Sequence, residues 1–181
     1  KSRVLKLVDD YVTGRKDKFE TEFKMKHKGG HWVTVLSRAS LARDNDGNLV
    51  YPKRLIGTHV DLTERKQSEL QLKIQNIALE AAANAIMITN TAATIEWINP
   101  AFTELTGYRR HEAVGVNVKD LMNSGQQSEL FYKDMWQTIS SKKVWKGEII
   151  NKKKDGTLYH EHMTITPVTN ESDEICYYIA I

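Results

Sequence analysis

Two stretches of the same length decide how this chain folds: FETEFKMKHKGGHW, residues 19–32, and WKGEIINKKKDGTL, residues 145–158. In the first, Phe19, Thr21, Phe23 and Met25 alternate with Glu20, Glu22, Lys24 and Lys26, the period of a half-buried strand, and Gly29-Gly30 supplies a tight turn. Shifting it by 126 residues sets Phe19 on Trp145, Glu22 on Glu148, Phe23 on Ile149, Lys28 on Lys154 and Gly30 on Gly156. The chain therefore contains one hairpin design twice.

Working outward, Val4, Leu5, Leu7, Val8, Tyr11 and Val12 follow helical spacing and stop before Gly14. After the first hairpin strand the return strand is Trp32–Leu41, Asp46-Gly47 makes a turn, and Arg54–Val60 forms a third strand after Pro52. Asp61 is read as a helix cap, with Glu64 completing a capping box, and the helix is expected to run to about Glu80. Along it Leu70, Ile74, Ile77 and Ala81 are spaced four, three and four apart, the spacing of a coiled-coil seam; packing on its own domain is the alternative. Strands are expected at Ile86–Thr89 and Thr94–Ile98, then short helices at Pro100–Leu105 and His111–Val114 and a longer one at Ser128–Ser140. Three strands close the chain: Trp145–Lys152, Thr157–Thr166 and Ile175–Ile181. The expected fold is α+β: an antiparallel sheet with short helices, in two units joined by a helix. The expected layout is a first unit over 1–66 lacking its front half, a connecting helix over 61–81, and a nearly whole second unit over 82–181.

Composition bounds the chemistry. At 181 residues, 40% hydrophobic and 27% charged, with ten Gly and three Pro, the chain suits an ordinary globular protein. No apolar run approaches the roughly 20 residues of a membrane span, and no secretory signal follows Lys1, so the chain reads as cytoplasmic. A lone Cys176 excludes an internal disulfide, and no Cys/His group has structural zinc spacing. Residues 1–66 hold 15 basic and 9 acidic groups (+6), leaving 11 and 14 (−3) of the total 26 and 23. That imbalance supports two units and is too mild to imply nucleic-acid binding. No phosphate-binding loop, nucleophile elbow, kinase or cyclase signature is present, so no enzyme activity is read from this segment.

Several motifs, in order, resemble tandem PAS domains, the sensory modules of bacterial signalling proteins. They are Asn99-Pro100-Ala101-Phe102, Leu105-Thr106-Gly107-Tyr108, Glu112-Ala113-Val114-Gly115, Lys154-Asp155-Gly156 with Thr166-Pro167-Val168, and the exit motif Asp61-Leu62-Thr63-Glu64-Arg65-Lys66. Met135-Trp136, Trp145-Lys146-Gly147 and Asn151 to Gly156 narrow the likeness. They resemble the FAD-binding PAS domains of redox sensors, such as nitrogen-fixation regulatory flavoproteins and aerotaxis receptors.

The resemblance implies a ligand pocket in the second unit holding FAD noncovalently. Such a ring needs flat apolar walls and a few aimed polar groups. Trp136 would supply area and an indole N–H, and Asn151 a carboxamide with both donor and acceptor. Trp145, six residues before Asn151 on one strand, shares its face. Trp136 and Trp145 also read as core residues. Asn99 would touch the cofactor or end its strand as a turn former. Lys152-Lys153-Lys154 reads as a solvated turn, with a flavin phosphate as the alternative partner. In the first unit Met25 stands where Asn151 does, which implies an empty apolar cavity or a different ligand there.

Cys176 lies on the last strand, away from any helix that would serve a flavin–cysteine adduct, and Ser128–Ser140 holds no His for haem. His160 and His162 share a strand face, as a surface pair or a proton-active one. The resemblance to nitrogen-fixation regulatory flavoproteins implies a hydroxyl on the first strand and an acid after the short helices. The matches here are Met87 and Val118 or Lys119, leaving Asp120, Glu104 or water for the proton route. The implied function is a redox- or oxygen-sensing module, a homodimer passing its signal to a kinase or other effector outside this segment. The alternatives are a cofactor-free PAS pair for dimerisation and relay, and a flavin-dependent oxidoreductase, disfavoured because no nicotinamide site is visible.

Overall fold

The structure is a computed structural model that describes residues 2–50 and 53–181; Lys1 and Pro52 lie outside the described residues. The chain divides into two compact units, one up to Lys73 and one from Ile74 onward. In the first, helix α1 (Ser2–Val12) precedes a three-stranded antiparallel sheet of β1 (Phe19–Lys26), β2 (Trp32–Leu41) and β3 (Leu55–Asp61), in that order. Phe19, Thr21, Val35 and Ser37 are its buried side chains. Helix α2 (Thr63–Glu80) follows.

The helix begins two residues later than the sequence suggests, because Asp61 is still paired in the sheet, opposite Val35. Its carboxylate nevertheless accepts the Thr63 N–H at 2.8 Å, and the Thr63 hydroxyl first and this N–H second hold its pKa below the ordinary value. None of the α2 side chains is buried: Leu70, Ile74 and Ile77 are 57%, 57% and 56% exposed.

The second unit is a five-stranded antiparallel sheet, order β5-β4-β8-β7-β6, with four helices between its second and third strands. Its strands are β4 (Met87–Asn90), β5 (Ile95–Ile98), β6 (Trp145–Lys152), β7 (Leu158–Thr169) and β8 (Ile175–Ala180). Its helices are α3 (Pro100–Thr106), α4 (Arg110–Ala113), α5 (Val118–Met122) and α6 (Glu129–Ser140). Helix α5 was not anticipated. Its signal is Asn117, whose side chain caps it by accepting the Lys119 N–H. It buries Leu121 and Met122.

The internal repeat holds at the level of register. Phe19 opposes Ala39 and Lys26 opposes Trp32 in the first hairpin. Adding 126 to each gives Trp145 opposite Ile165 and Lys152 opposite Leu158, the ends of the second.

Both edges of the five-stranded sheet are covered. Along β5, the Ile95 N–H donates to the Val116 carbonyl at 2.9 Å and the Gly115 N–H to the Ile95 carbonyl at 2.8 Å. Along β6, segment 123–127 performs the same task with one Asn123–Asn151 bridge and two side chains. Ser124 Oγ donates to the Ile150 carbonyl. Gln127, its carboxamide turned to satisfy both ends, donates to the Ile150 carbonyl at 3.0 Å and accepts the Ile150 N–H at 2.7 Å. An uncovered edge would invite pairing with another chain.

Trp145 is 6% exposed and meets Phe131 edge-on at 5.5 Å. Its six-membered ring occupies the space beside Gly147, where an added Cβ would sit 2.5 Å from Cζ2 and 2.7 Å from Cη2. Glycine is thus required two residues on, where the strand returns to the same face. Gly147→Ala is expected to lower stability by about 1–3 kcal/mol through overpacking, read as a lower urea midpoint; an unchanged midpoint would refute this packing.

Candidate functional site

Between the inner face of the five-stranded sheet and helices α5 and α6 lies a cavity of about 450 Å³, within the ~300–1,000 Å³ typical of small-molecule sites. Its walls follow from strand periodicity. Met87 and Thr89 of β4, Ile149 and Asn151 of β6, Met163 and Ile165 of β7, and Tyr178 and Ala180 of β8 alternate with outward residues and line it. Helix α6 adds Tyr132, Met135, Trp136 and Ile139, spaced so that one helix face turns inward. Three thioethers, Met87, Met135 and Met163, give the cavity a soft, polarizable lining. Ala92, Lys119 and Glu129, which line the cavity and are also exposed, mark its mouth.

Of the four residues expected to meet a cofactor, two line this cavity. Trp136 is half-buried and meets Tyr178 edge-on, with ring centroids 5.8 Å apart. Asn151 is 4% exposed. Its Nδ2 donates to Glu161 Oε1 at 2.7 Å, and its carbonyl end accepts no hydrogen bond from the described residues.

The other two lie elsewhere. Trp145 shares the Asn151 face, as the strand period requires, but packs into the core against Phe131 instead of lining the cavity. Asn99 is 1% exposed and its carboxamide is fully engaged. Oδ1 accepts the Phe102 N–H at 3.0 Å, capping α3, and the Ile86 N–H at 2.9 Å. Nδ2 donates to the Asn84 carbonyl at 2.9 Å. The turn-forming alternative describes this side chain, and no polar atom is left to offer a ligand.

The proton-bearing groups also differ from expectation. A buried hydroxyl does line the cavity from the first strand of this unit, but it belongs to Thr89, two residues beyond Met87. Asp120 and Glu104 are exposed and outside the cavity wall. The acid beside the site is Glu161 on β7, whose carboxyl is pushed up by burial and only partly drawn back by Asn151. Next to it the Tyr159 hydroxyl is buried without a hydrogen-bond partner. Burial and then the neighbouring Glu161 raise the Tyr159 phenol far above its ordinary value, so it stays protonated. Strand alternation carried the missing signal: Tyr159 and Glu161 share a face with Met163, and Tyr159 opposes Asn151 directly.

His162 and Glu148 oppose one another with Nε2 and Oε1 3.4 Å apart and are both well exposed, a surface pair. Among the described residues no group of three or more His, Cys, Asp or Glu could hold a metal ion, and no helix is long and apolar enough to cross a membrane.

With this geometry in hand, comparison with known proteins gives consistent matches. A family model described as "PAS domain" matches residues 83–181, and one described as "PAS fold" matches residues 1–59. The nitrogen fixation regulatory protein of Klebsiella oxytoca is 38% identical over 103 residues, 57% of this chain and 21% of that protein. The sensor protein FixL of Bradyrhizobium diazoefficiens is 28% identical over 163 residues, 85% of this chain and 31% of that protein. The chain thus spans about a fifth of the nitrogen fixation regulator. The crystal structure of a PAS domain of a Colwellia psychrerythraea protein superposes with a TM-score of 0.54 at 23% identity, covering 61% of this chain and 92% of that one.

Replacing Asn99 by Ala removes the α3 cap and leaves two buried N–H groups unpaired. It is expected to cost about 2–4 kcal/mol of stability, measured by urea unfolding, and a loss within experimental error would contradict the role assigned here.

Proposed function

The chain belongs to the PAS domain family, and we propose that it is a cytoplasmic redox- or oxygen-sensing module. In this reading the second unit binds FAD noncovalently, and the redox state is relayed through helices and dimer geometry to an effector outside this segment. The observation that carries the reading is the pairing, in one cavity, of a Trp136 wall with a buried carboxamide at Asn151. A buried amide in an apolar wall is costly unless partnered, and here one end is held by Glu161 while the other is free for a guest. The thioether and aromatic lining suits a flat ring, and the mouth beside Lys119 gives a phosphate-bearing tail a way out.

Reduction of a bound flavin converts ring N5 from a hydrogen-bond acceptor into an N–H donor. Asn151 then has to present its carbonyl where it had presented its amide N–H. Leaving two donors face to face costs about 1–3 kcal/mol, enough to bias a two-state arrangement roughly 5- to 150-fold. Asn151 sits at the end of β6, whose hairpin partner β7 pairs in turn with β8. A rotation of its amide is thereby felt along the sheet towards the end of the chain. The apolar stripe of α2, exposed over Leu70, Ile74 and Ile77, supplies a dimer seam.

That stripe also favours a second reading, a cofactor-free pair of PAS units that dimerises and relays. The two separate by colour. Protein purified in the presence of FAD is expected to retain flavin absorption bands, and Trp136→Ala and Asn151→Ala to weaken FAD binding at least tenfold. Colourless protein that takes up no FAD would leave the relay alone standing. For the seam, Ile74→Glu is expected to shift the chain from dimer to monomer in sedimentation equilibrium. An unaltered mass would remove α2 from the interface.

A further inference from the structure

The half-buried carboxyl beside Asn151 has a use that the flavin reading alone does not assign. A primary carboxamide has a donor end and an acceptor end, and which one faces the cavity is decided by what holds the other. Asn151 Nδ2 is held by Glu161 Oε1 at 2.7 Å. We propose that Glu161 is the positioning residue of the cavity: ionised, it accepts from the Asn151 amide and turns the carbonyl to the guest; protonated, it donates to that carbonyl and turns the amide N–H to the guest. The proton on Glu161 thus selects between an acceptor and a donor at the same point of the wall.

The surroundings make this exchange a matter for one titrating group. On its own strand Glu161 is flanked, on the same face, by Tyr159 and Met163, and directly opposite it on β6 is the apolar Ile149. Tyr159 stays protonated. Lys153, in the turn between the two strands, lies over the Tyr159 ring at 5.8 Å, and Tyr132 reaches the cavity from α6 with its phenol raised by burial. The influences on the Glu161 carboxyl are burial, which raises it, and Asn151, which lowers it; no neighbouring cation holds it ionised. In the proposed exchange each protonation state keeps one hydrogen bond to Asn151.

The ligand class that would register the difference is a planar heterocycle with a ring nitrogen that is an acceptor in one state and an N–H in the other. That assignment rests on the flavin reading; the coupling of Glu161 to the Asn151 amide does not. A guest presenting an acceptor binds best with Glu161 protonated, so its affinity falls with rising pH, by at most tenfold per pH unit for one linked proton. A guest presenting N–H shows the opposite trend.

The test uses the whole 15N-labelled chain without added ligand and follows the Asn151 side-chain NH2 signals from about pH 4 to 8. The signals are expected to shift with a midpoint above the ordinary Glu value of about 4.3, and the shift to vanish in Glu161→Gln. Wild-type signals that do not move, or the same shift persisting in Glu161→Gln, would overturn the proposal, and the wild-type arm decides even if the variant folds poorly. Since ionising a buried acid opposes folding, the urea midpoint of Glu161→Gln relative to the parent is expected to rise as pH climbs from the ordinary Glu range through the elevated one; a constant difference would count against a buried titrating carboxyl. The same samples with FAD, oxidised and then reduced by dithionite, separate the two claims. A titrating amide in protein that binds no FAD sinks the flavin reading and leaves Glu161 as the positioning residue.

Discussion

A carboxamide enclosed by hydrocarbon has four hydrogen-bonding positions to satisfy and few neighbours with which to do it. Asn151 meets that constraint at the closed end of the second β-hairpin, where one neighbour is a carboxyl and the opposite residue is a tyrosine whose hydroxyl has no partner of its own. Apart from the Thr89 hydroxyl, the other sheet residues that line the cavity are apolar or, like Tyr178, largely so, so its polarity is strongest around Asn151. The hairpin register fixes that point, because a one-residue slip of β6 would send Asn151 outward and leave the cavity without an oriented amide.

Most of the architecture was legible from periodicity and turns. β2 and β6 begin and end where alternation begins and ends, since each has one buried face. The doubled hairpin could be read because the same constraint acts on both copies. What escaped notice was short or held by tertiary contacts. Helix α5 has five residues, too few to show a helical period, and it exists because Asn117 caps it and the core takes Leu121 and Met122. Asp61 signals a helix start, but strand pairing claims its backbone first and delays α2.

The site was half legible. Asn151 stood out because an amide is an unusual choice on a strand beside Ile149 and Ile150, and Trp136 because Met135-Trp136 resembles the flavin-binding PAS pattern. Glu161 lies between His160 and His162 in a polar stretch of β7; only pairing across the sheet reveals that it sits inward beside Asn151. Asn99 and Trp145 show the reverse difficulty. Each belongs to a motif of the family, yet Asn99 spends its amide on backbone groups and Trp145 fills the notch left by Gly147. A residue retained for architecture leaves the same trace in a single sequence as one retained for a ligand.

The flank of β6 is fastened by the side chains of Ser124 and Gln127 and by a single Asn123–Asn151 bridge, with no continuous backbone ladder. A clasp of so few contacts costs far less to part from β6 than global unfolding. Asn123, at the start of that segment, lines the cavity. The strand that carries the oriented amide is therefore bordered, on the cavity side, by a segment tied to it at only a few points.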